Sequence, residues 1–197
     1  MNDWDQLAVS WDGDEIIRSY ASAAFASLEQ VLAAHGMALP GSRVLDFGCG
    51  TGLLTAFLVD GGAAVDAVDT SAGMLNVLRA KIKTHGWTDV SATSELPVGA
   101  PTRPYDLIVC SSVCAFLDDY PAVVAQLVRM LRRGGLFVQW DWERDDPDDA
   151  HGLTRDEIRS ALTAAGLANI RVQVGFENTI PGYEETMRPL LGEGRLP

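Results

Sequence analysis

The stretch that most limits what this chain can fold into is Val44-Leu45-Asp46-Phe47-Gly48-Cys49-Gly50-Thr51-Gly52-Leu53-Leu54-Thr55. Its short apolar run ending in an acid reads as a buried strand. Glycines at every second position follow as a tight turn, and the apolar-periodic segment after them starts a helix. Strand, glycine turn and helix start make a nucleotide-type pocket, because glycine admits a ligand close to the backbone and the helix start offers free N–H groups. A unit of this kind belongs to an α/β fold with a mainly parallel sheet.

The polar chemistry around the turn narrows the ligand. A dinucleotide site spaces its glycines as GxGxxG and uses the amides for a pyrophosphate. Here the spacing is GxGxG, and Asp46 sits two residues before the first glycine. A carboxylate there repels a pyrophosphate and favours an ammonium group. A second acid, Asp69, closes the next apolar run, Ala63 to Val68, where an acid suits the hydroxyls of a ribose. The ligand these residues imply is a nucleoside with a positive charge and no phosphate, a description that S-adenosylmethionine fits.

At these residues the sequence resembles the class I S-adenosylmethionine-dependent methyltransferases, specifically the small single-domain members of methyltransferase type 11/12. The glycine motif is Val44–Thr55 and the ribose-acid segment runs from Val65 to Leu75. A fourth-strand motif lies at Tyr105–Ser112, and a turn before the fifth strand at Leu131–Val138. The resemblance implies a Rossmann-like, doubly wound seven-stranded sheet in a three-layer α/β/α arrangement. The sheet is mainly parallel, with an antiparallel C-terminal strand inserted beside the fifth. It also implies one domain over residues 1–197, with residues 1–40 as a helical cap over the cofactor cleft.

Composition removes several other classes. The 197 residues suffice for a substantial core. Asp and Glu outnumber Lys and Arg 27 to 15, for a formal charge of −12, and no basic run is present to neutralise a phosphate backbone. Nucleic acid and anionic membranes are therefore not expected partners. No apolar stretch approaches the ~20 residues of a membrane span, and the acidic N-terminus is unlike a signal peptide. The three cysteines suit a reduced compartment, so a soluble cytoplasmic protein is expected, as a monomer or a homodimer.

Along the chain, Trp4, Leu7, Trp11, Ile16, Ile17, Tyr20, Phe25 and Leu28 mark the apolar faces of one or two helices ending near His35-Gly36. Under the resemblance, Trp11 or Tyr20 touches the methionine end of the cofactor; otherwise these rings pack the helix onto the sheet. The glycine turn leads into a helix from Thr51 to Asp60. Ser71 is an N-cap for a helix running to about His85, with Gly86 past its end. Asp69 is read as the ribose acid, with a helix-capping role as the alternative, and Thr70 follows it. Met74 either packs on adenine or is simply core. The third strand lies near Val90 to Thr93. The resembled family carries an acid just after it; here Glu95 and Leu96 are adjacent instead, and adenine is held by Glu95 or by the backbone of the two. Asp118-Asp119 before Tyr120-Pro121 starts a helix expected to reach about Arg132, with a fifth strand from Leu136 to about Trp140. Thr154 and Glu157 form a capping box, the helix ends at Gly166, and a sixth strand spans Asn169 to Phe176. The segment from Met187 to Arg195 has weak strand propensity and is taken as the last strand on resemblance alone.

Methyl transfer from a sulfonium is an in-line displacement that depends chiefly on positioning, with a general base needed only if the acceptor loses a proton. Acceptor groups are expected above the carboxyl ends of the strands: Ser111 and Ser112, Cys114, Phe116, Trp140, Asp141, Trp142 and His151. Ser111 is also a candidate cofactor contact. His151 and Asp141 are competing candidates for a base. Cys110 and Cys114 read as buried thiols, and no metal is expected. The cofactor contacts are thus Asp46, Gly48, Cys49, Gly50, Gly52, Asp69, Thr70, Met74, Glu95, Leu96, Ser111 and Trp11. A small-molecule methyltransferase is the leading reading. The alternatives are an inactive S-adenosylmethionine-binding protein of the same fold and, more remotely, an NAD-dependent oxidoreductase.

Overall fold

The computed structural model describes residues 3–97, 103–144, 152–180 and 186–197. The chain divides into two compact units, Met1–Val98 and Gly99–Pro197. The first holds helices α1 (Asp3–Trp11) and α2 (Glu15–Ala34), then β1 (Arg43–Phe47), α3 (Leu53–Asp60), β2 (Ala64–Val68), α4 (Ala72–His85) and β3 (Val90–Thr93). β1, β2 and β3 are parallel and in continuous register, from Arg43↔Ala64 to Phe47↔Val68 and from Val65↔Val90 to Val68↔Thr93. A parallel strand covered on both faces needs a near-continuous apolar run. Val44, Leu45, Ala67 and Val68 accordingly have almost no exposed surface.

Local chemistry sets most helix ends in this unit. Asp14 caps α2 by accepting from the amides of Ile16 and Ile17, and Tyr20, Ala24, Leu28 and Val31 bury one face of it. Phe25 of α2 stacks on Phe57 of α3 with ring centroids 5.1 Å apart. Ser71 caps α4 through the Met74 amide, and Gly86 ends that helix in the left-handed region at φ 67°.

The second unit holds β4 (Tyr105–Ser111), a 3-10 turn (Cys114–Phe116), α5 (Tyr120–Val128), β5 (Leu131–Asp141) and α6 (Arg155–Ala164). β6 (Ala168–Val174), the two-residue strands β7 (Asn178–Thr179) and β8 (Thr186–Met187), and β9 (Leu190–Arg195) complete it. β4 and β5 are parallel. β9 runs antiparallel to both β5 and β6 and lies between them. The complete strand order is β3-β2-β1-β4-β5-β9-β6, a seven-stranded, mainly parallel Rossmann-like sheet, with β7 and β8 paired separately. As expected, Asp119 caps α5 and the Thr154–Glu157 capping box starts α6.

Several boundaries differ from the expectation: α3 starts at Leu53, β6 ends at Val174, and β9 starts at Leu190 with Met187 in β8. α5 stops at Val128 rather than near Arg132, and β5 begins at Leu131. Tyr105 pairs with Leu131 and Leu107 already pairs with Leu136, so residues 132–135 are absorbed in an irregularity of the strand. The Arg132 guanidinium there pairs with the Asp106 carboxylate and bonds the Arg133 carbonyl, so it serves strand pairing. The hairpin of β7 and β8 had no counterpart in the sequence pattern. β9 contains Gly192 and Gly194 because close packing demands them. A Cβ on Gly192 would stand 2.4 Å from Ile158 Cγ2 of α6, and one on Gly194 would stand 2.9 Å from Leu167 Cβ.

Candidate cofactor site

The glycine turn leaves β1 with Gly48 at φ 73°, Gly50 at φ 54° and Gly52 at φ 81°. All three lie in the left-handed region, where an L side chain is strained. The amides of Gly48 and Cys49 donate to the Val68 carbonyl at 2.8 and 3.1 Å, which fastens the turn to the end of β2. The glycines do different work. A Cβ on Gly52 would stand 2.4 Å from Leu78 Cδ1, so this residue lets α4 approach. A Cβ on Gly50 would meet nothing within 4 Å, so its backbone borders open space. No side chain caps α3, whose N-cap is Gly52 itself.

Two carboxylates frame the turn. Asp46 is 1% exposed, and its Oδ2 accepts from the Thr55 hydroxyl at 2.6 Å. Burial pushes its pKa up to about 7; the Thr55 bond opposes that shift and the nearby Asp69 charge adds to it. Asp69 accepts from the Gly50 amide and from the Ser71 amide, each at 2.8 Å. It therefore braces the glycine turn against the start of α4. The capping position of α4 belongs to Ser71.

Two further acids of the N-terminal segment join this site without a sequence signal that singled them out. Asp5 Oδ1 accepts from the Ser71 hydroxyl at 2.6 Å and the Gly73 amide at 2.8 Å. Asp12 Oδ1 accepts from the Thr51 hydroxyl at 2.6 Å, and its Oδ2 pairs with Lys81 Nζ at 2.6 Å. A Cβ on Gly73 would stand 2.8 Å from the Asp5 backbone, so α1 lies directly on the first turn of α4. Trp11 meets Trp4 edge-to-face, with centroids 5.7 Å apart. The only hint in the sequence was the acidity of the N-terminus.

The other expected residues of this unit are spread around the same strand ends. Cys49 and Met74 are buried. Cys49 packs with Ala67, Leu75 and Leu78, and burial raises its thiol pKa well above the usual value. Thr70 and Glu95 are exposed and Leu96 is half-buried. The Glu95 carbonyl accepts from the Thr93 hydroxyl at 3.1 Å.

In the second unit, Ser111 ends β4 and is half-buried, whereas Cys114, Trp140 and Asp141 are buried. Phe116 and Trp142 are 44% and 41% exposed. Asp141 accepts from the Ala115 amide and from Gln139 Nε2, both at 3.1 Å. Burial pushes its pKa up to about 7 against the opposing bonds from Ala115, Cys114 and Gln139. His151 lies outside the described residues. Among those residues, no cluster of His, Cys, Asp and Glu has the makings of a metal site, and no helix is long and apolar enough to cross a membrane.

The residues of the first unit fit a nucleoside with a cationic sulfonium tail. Open space borders Gly50 where a side chain would stand, and both acids at the strand ends accept hydrogen bonds around it. The turn presents no Lys or Arg for a pyrophosphate.

Comparison with known proteins agrees with the fold. Residues 45–137 match the methyltransferase domain family. Trans-aconitate 2-methyltransferase of Azoarcus sp. (strain BH72) is 36% identical over 118 residues, 58% of this chain and 44% of that protein. The enzyme of the same name from Methylobacterium nodulans is 32% identical over 171 residues, 85% of this chain and 60% of that protein. The chain thus spans about half the length of the curated relatives it matches. Magnesium protoporphyrin IX methyltransferase of Synechocystis PCC 6803, solved with S-adenosylhomocysteine, superposes with a TM-score of 0.70 at 19% identity, over 91% of this chain and 84% of that one. Strand order, glycine turn and domain match agree, and residues 45–137 belong to the methyltransferase domain family.

Proposed function

We propose that this protein transfers a methyl group from S-adenosylmethionine to an oxygen of a small molecule. The observation that carries the reading is the turn itself: Gly50 faces open space between two strand-end acids, Asp46 and Asp69. Bound S-adenosylmethionine supplies an electrophilic methyl group. Asp46 would face the cationic amino acid end, Asp69 would accept from the ribose hydroxyls, and Met74, Glu95 and Leu96 would flank adenine. Asp5 and Asp12, from the N-terminal segment, hold the turn and the start of α4 in register. Oxygen as the acceptor atom is supported by relatives named for O-methylation, one of them the malonyl-[acyl-carrier protein] O-methyltransferase of Serratia marcescens, 33% identical over 103 residues. The excess of acids supports a small acceptor over nucleic acid.

Calorimetric titration with S-adenosylmethionine, S-adenosylhomocysteine and NAD, repeated on Asp69→Ala, tests the cofactor. Micromolar binding of the two adenosyl-sulfur compounds, lost in the variant, is expected; binding of NAD alone would overturn the reading. Methyl-labelled cofactor offered with a panel of small carboxylates and phenols then tests the acceptor.

A further inference from the structure

The turn that follows β4 is held in an unfavourable shape. Ser112 has φ 52°, a left-handed conformation for a residue with a side chain, and such strain persists only where the surroundings over-determine it. Two bonds to the end of β5 do so. The Ser112 amide donates to the Trp140 carbonyl at 2.7 Å, and the Ala115 amide donates to Asp141 Oδ1 at 3.1 Å.

Asp141 has no exposed surface. Burying a carboxylate is costly unless its lone pairs are used, and here donors converge on it. The Ala115 amide binds Oδ1 and Gln139 Nε2 binds Oδ2, so each oxygen has a donor. An ionised carboxylate is the side-chain group with about four acceptor sites and no donor. Behind it, Gln139 Oε1 accepts from the Tyr120 hydroxyl at 2.7 Å. The relay Tyr120–Gln139–Asp141 therefore joins the start of α5, the end of β5 and the 3-10 turn. Every member of it is buried.

We propose that Asp141 is the positioning residue for the acceptor side, fixing residues 112–117 and with them Ser111, Ser112 and Phe116 in the shape that receives the acceptor. The inference rests on the methyltransferase reading. It assigns Asp141 a part in shaping the site and none in removing a proton: its oxygens are spent on the turn, and no solvent or acceptor reaches them from the surface.

The relay makes a specific demand on conservative replacement. In Asp141→Asn one oxygen remains for the Ala115 amide, but the new amide nitrogen faces Gln139 Nε2, donor against donor. Rotating the Gln139 amide by a half-turn cures this, because the Tyr120 hydroxyl accepts as readily as it donates. Asp141→Asn should therefore preserve the turn, while Asp141→Ala loses it. Tyr120→Phe should be mild alone and should abolish the tolerance of Asp141→Asn.

Amide hydrogen exchange on the full chain tests this. Asp141→Ala is expected to speed exchange at Ala115 and its neighbours at least tenfold, with Asp141→Asn within about threefold of wild type and the Asp141→Asn/Tyr120→Phe double variant resembling Asp141→Ala. Unchanged exchange in Asp141→Ala, or in the double variant where Asp141→Ala does not fold, overturns the proposal. S-adenosylhomocysteine affinity is measured on the same samples. If wild type fails to bind it, the methyltransferase reading falls while the exchange result still stands. With a labelled-methyl acceptor, Asp141→Ala should raise the acceptor KM and Asp141→Asn should restore it. Equal loss of kcat in both variants at unchanged KM would instead mark a general base.

Discussion

Asp46 is the residue whose ionisation connects the fold to the ligand. Its folded-state pKa of about 7 lies above the ordinary 3.8, first because of burial and then because of the Asp69 charge, with the Thr55 bond opposing. Between those two values the native state holds a proton that the unfolded chain has released. The stability that Asp46 contributes is therefore fullest below about pH 4 and is lost as pH rises to about 7. Asp141 acts in the same sense, with a pKa also near 7. Denaturant titrations across this range should show stability falling with pH, and Asp46→Asn should remove part of the slope. A cationic ligand beside Asp46 favours the ionised form, so binding should release a proton. S-adenosylmethionine affinity should then climb with pH and level off above about 7. Calorimetry in two buffers of different ionisation enthalpy would show the proton release, and Asp46→Asn should abolish it. Asp46 and Asp69 were legible in the sequence because each ends an apolar run, a position that a linear pattern exposes. Asp5 and Asp12 were not, because their partners Ser71 and Thr51 lie 66 and 39 residues away.

At the scale of elements, the glycine turn and α1 make separable predictions. Gly52→Ala adds a Cβ 2.4 Å from Leu78 at φ 81°, and overpacking with backbone strain should cost about 1–3 kcal/mol, read as a lower denaturation midpoint. Gly50→Ala meets no atom but has φ 54°. It should fold with a smaller loss, roughly 1 kcal/mol, and weaken S-adenosylhomocysteine binding at least tenfold. Asp12→Ala leaves Lys81 and Thr51 without their shared carboxylate. It should speed amide exchange in α1 and at Thr51 and weaken the cofactor severalfold. Helix starts were readable because a cap is a contract between residues two or three apart, as at Ser71, Asp119 and Thr154. The early start of β5 was not, and β9 was placed by resemblance alone, since each depends on a partner strand distant in sequence.

For the whole molecule, the chain comprises two compact units, and one domain over residues 1–197 is our proposal. A single cooperative unfolding transition, coincident by circular dichroism and tryptophan fluorescence, is expected of one domain; two separated transitions would assign each unit its own stability. Cofactor should raise the transition temperature in proportion to the logarithm of its excess over Kd. The sequence by itself determined the alternation of strand and helix, the glycine turn and the two acids at the ends of β1 and β2. Hydrophobic period, caps and turn residues act over a few positions and leave their marks in a linear text. Only the tertiary structure decided that Asp5 and Asp12 would hold the turn, that Arg132 would serve a strand, and that Asp141 would be buried beneath the turn after β4. Each of these is a contact between distant segments, where packing space and the pairing of buried polar groups outweigh local propensity.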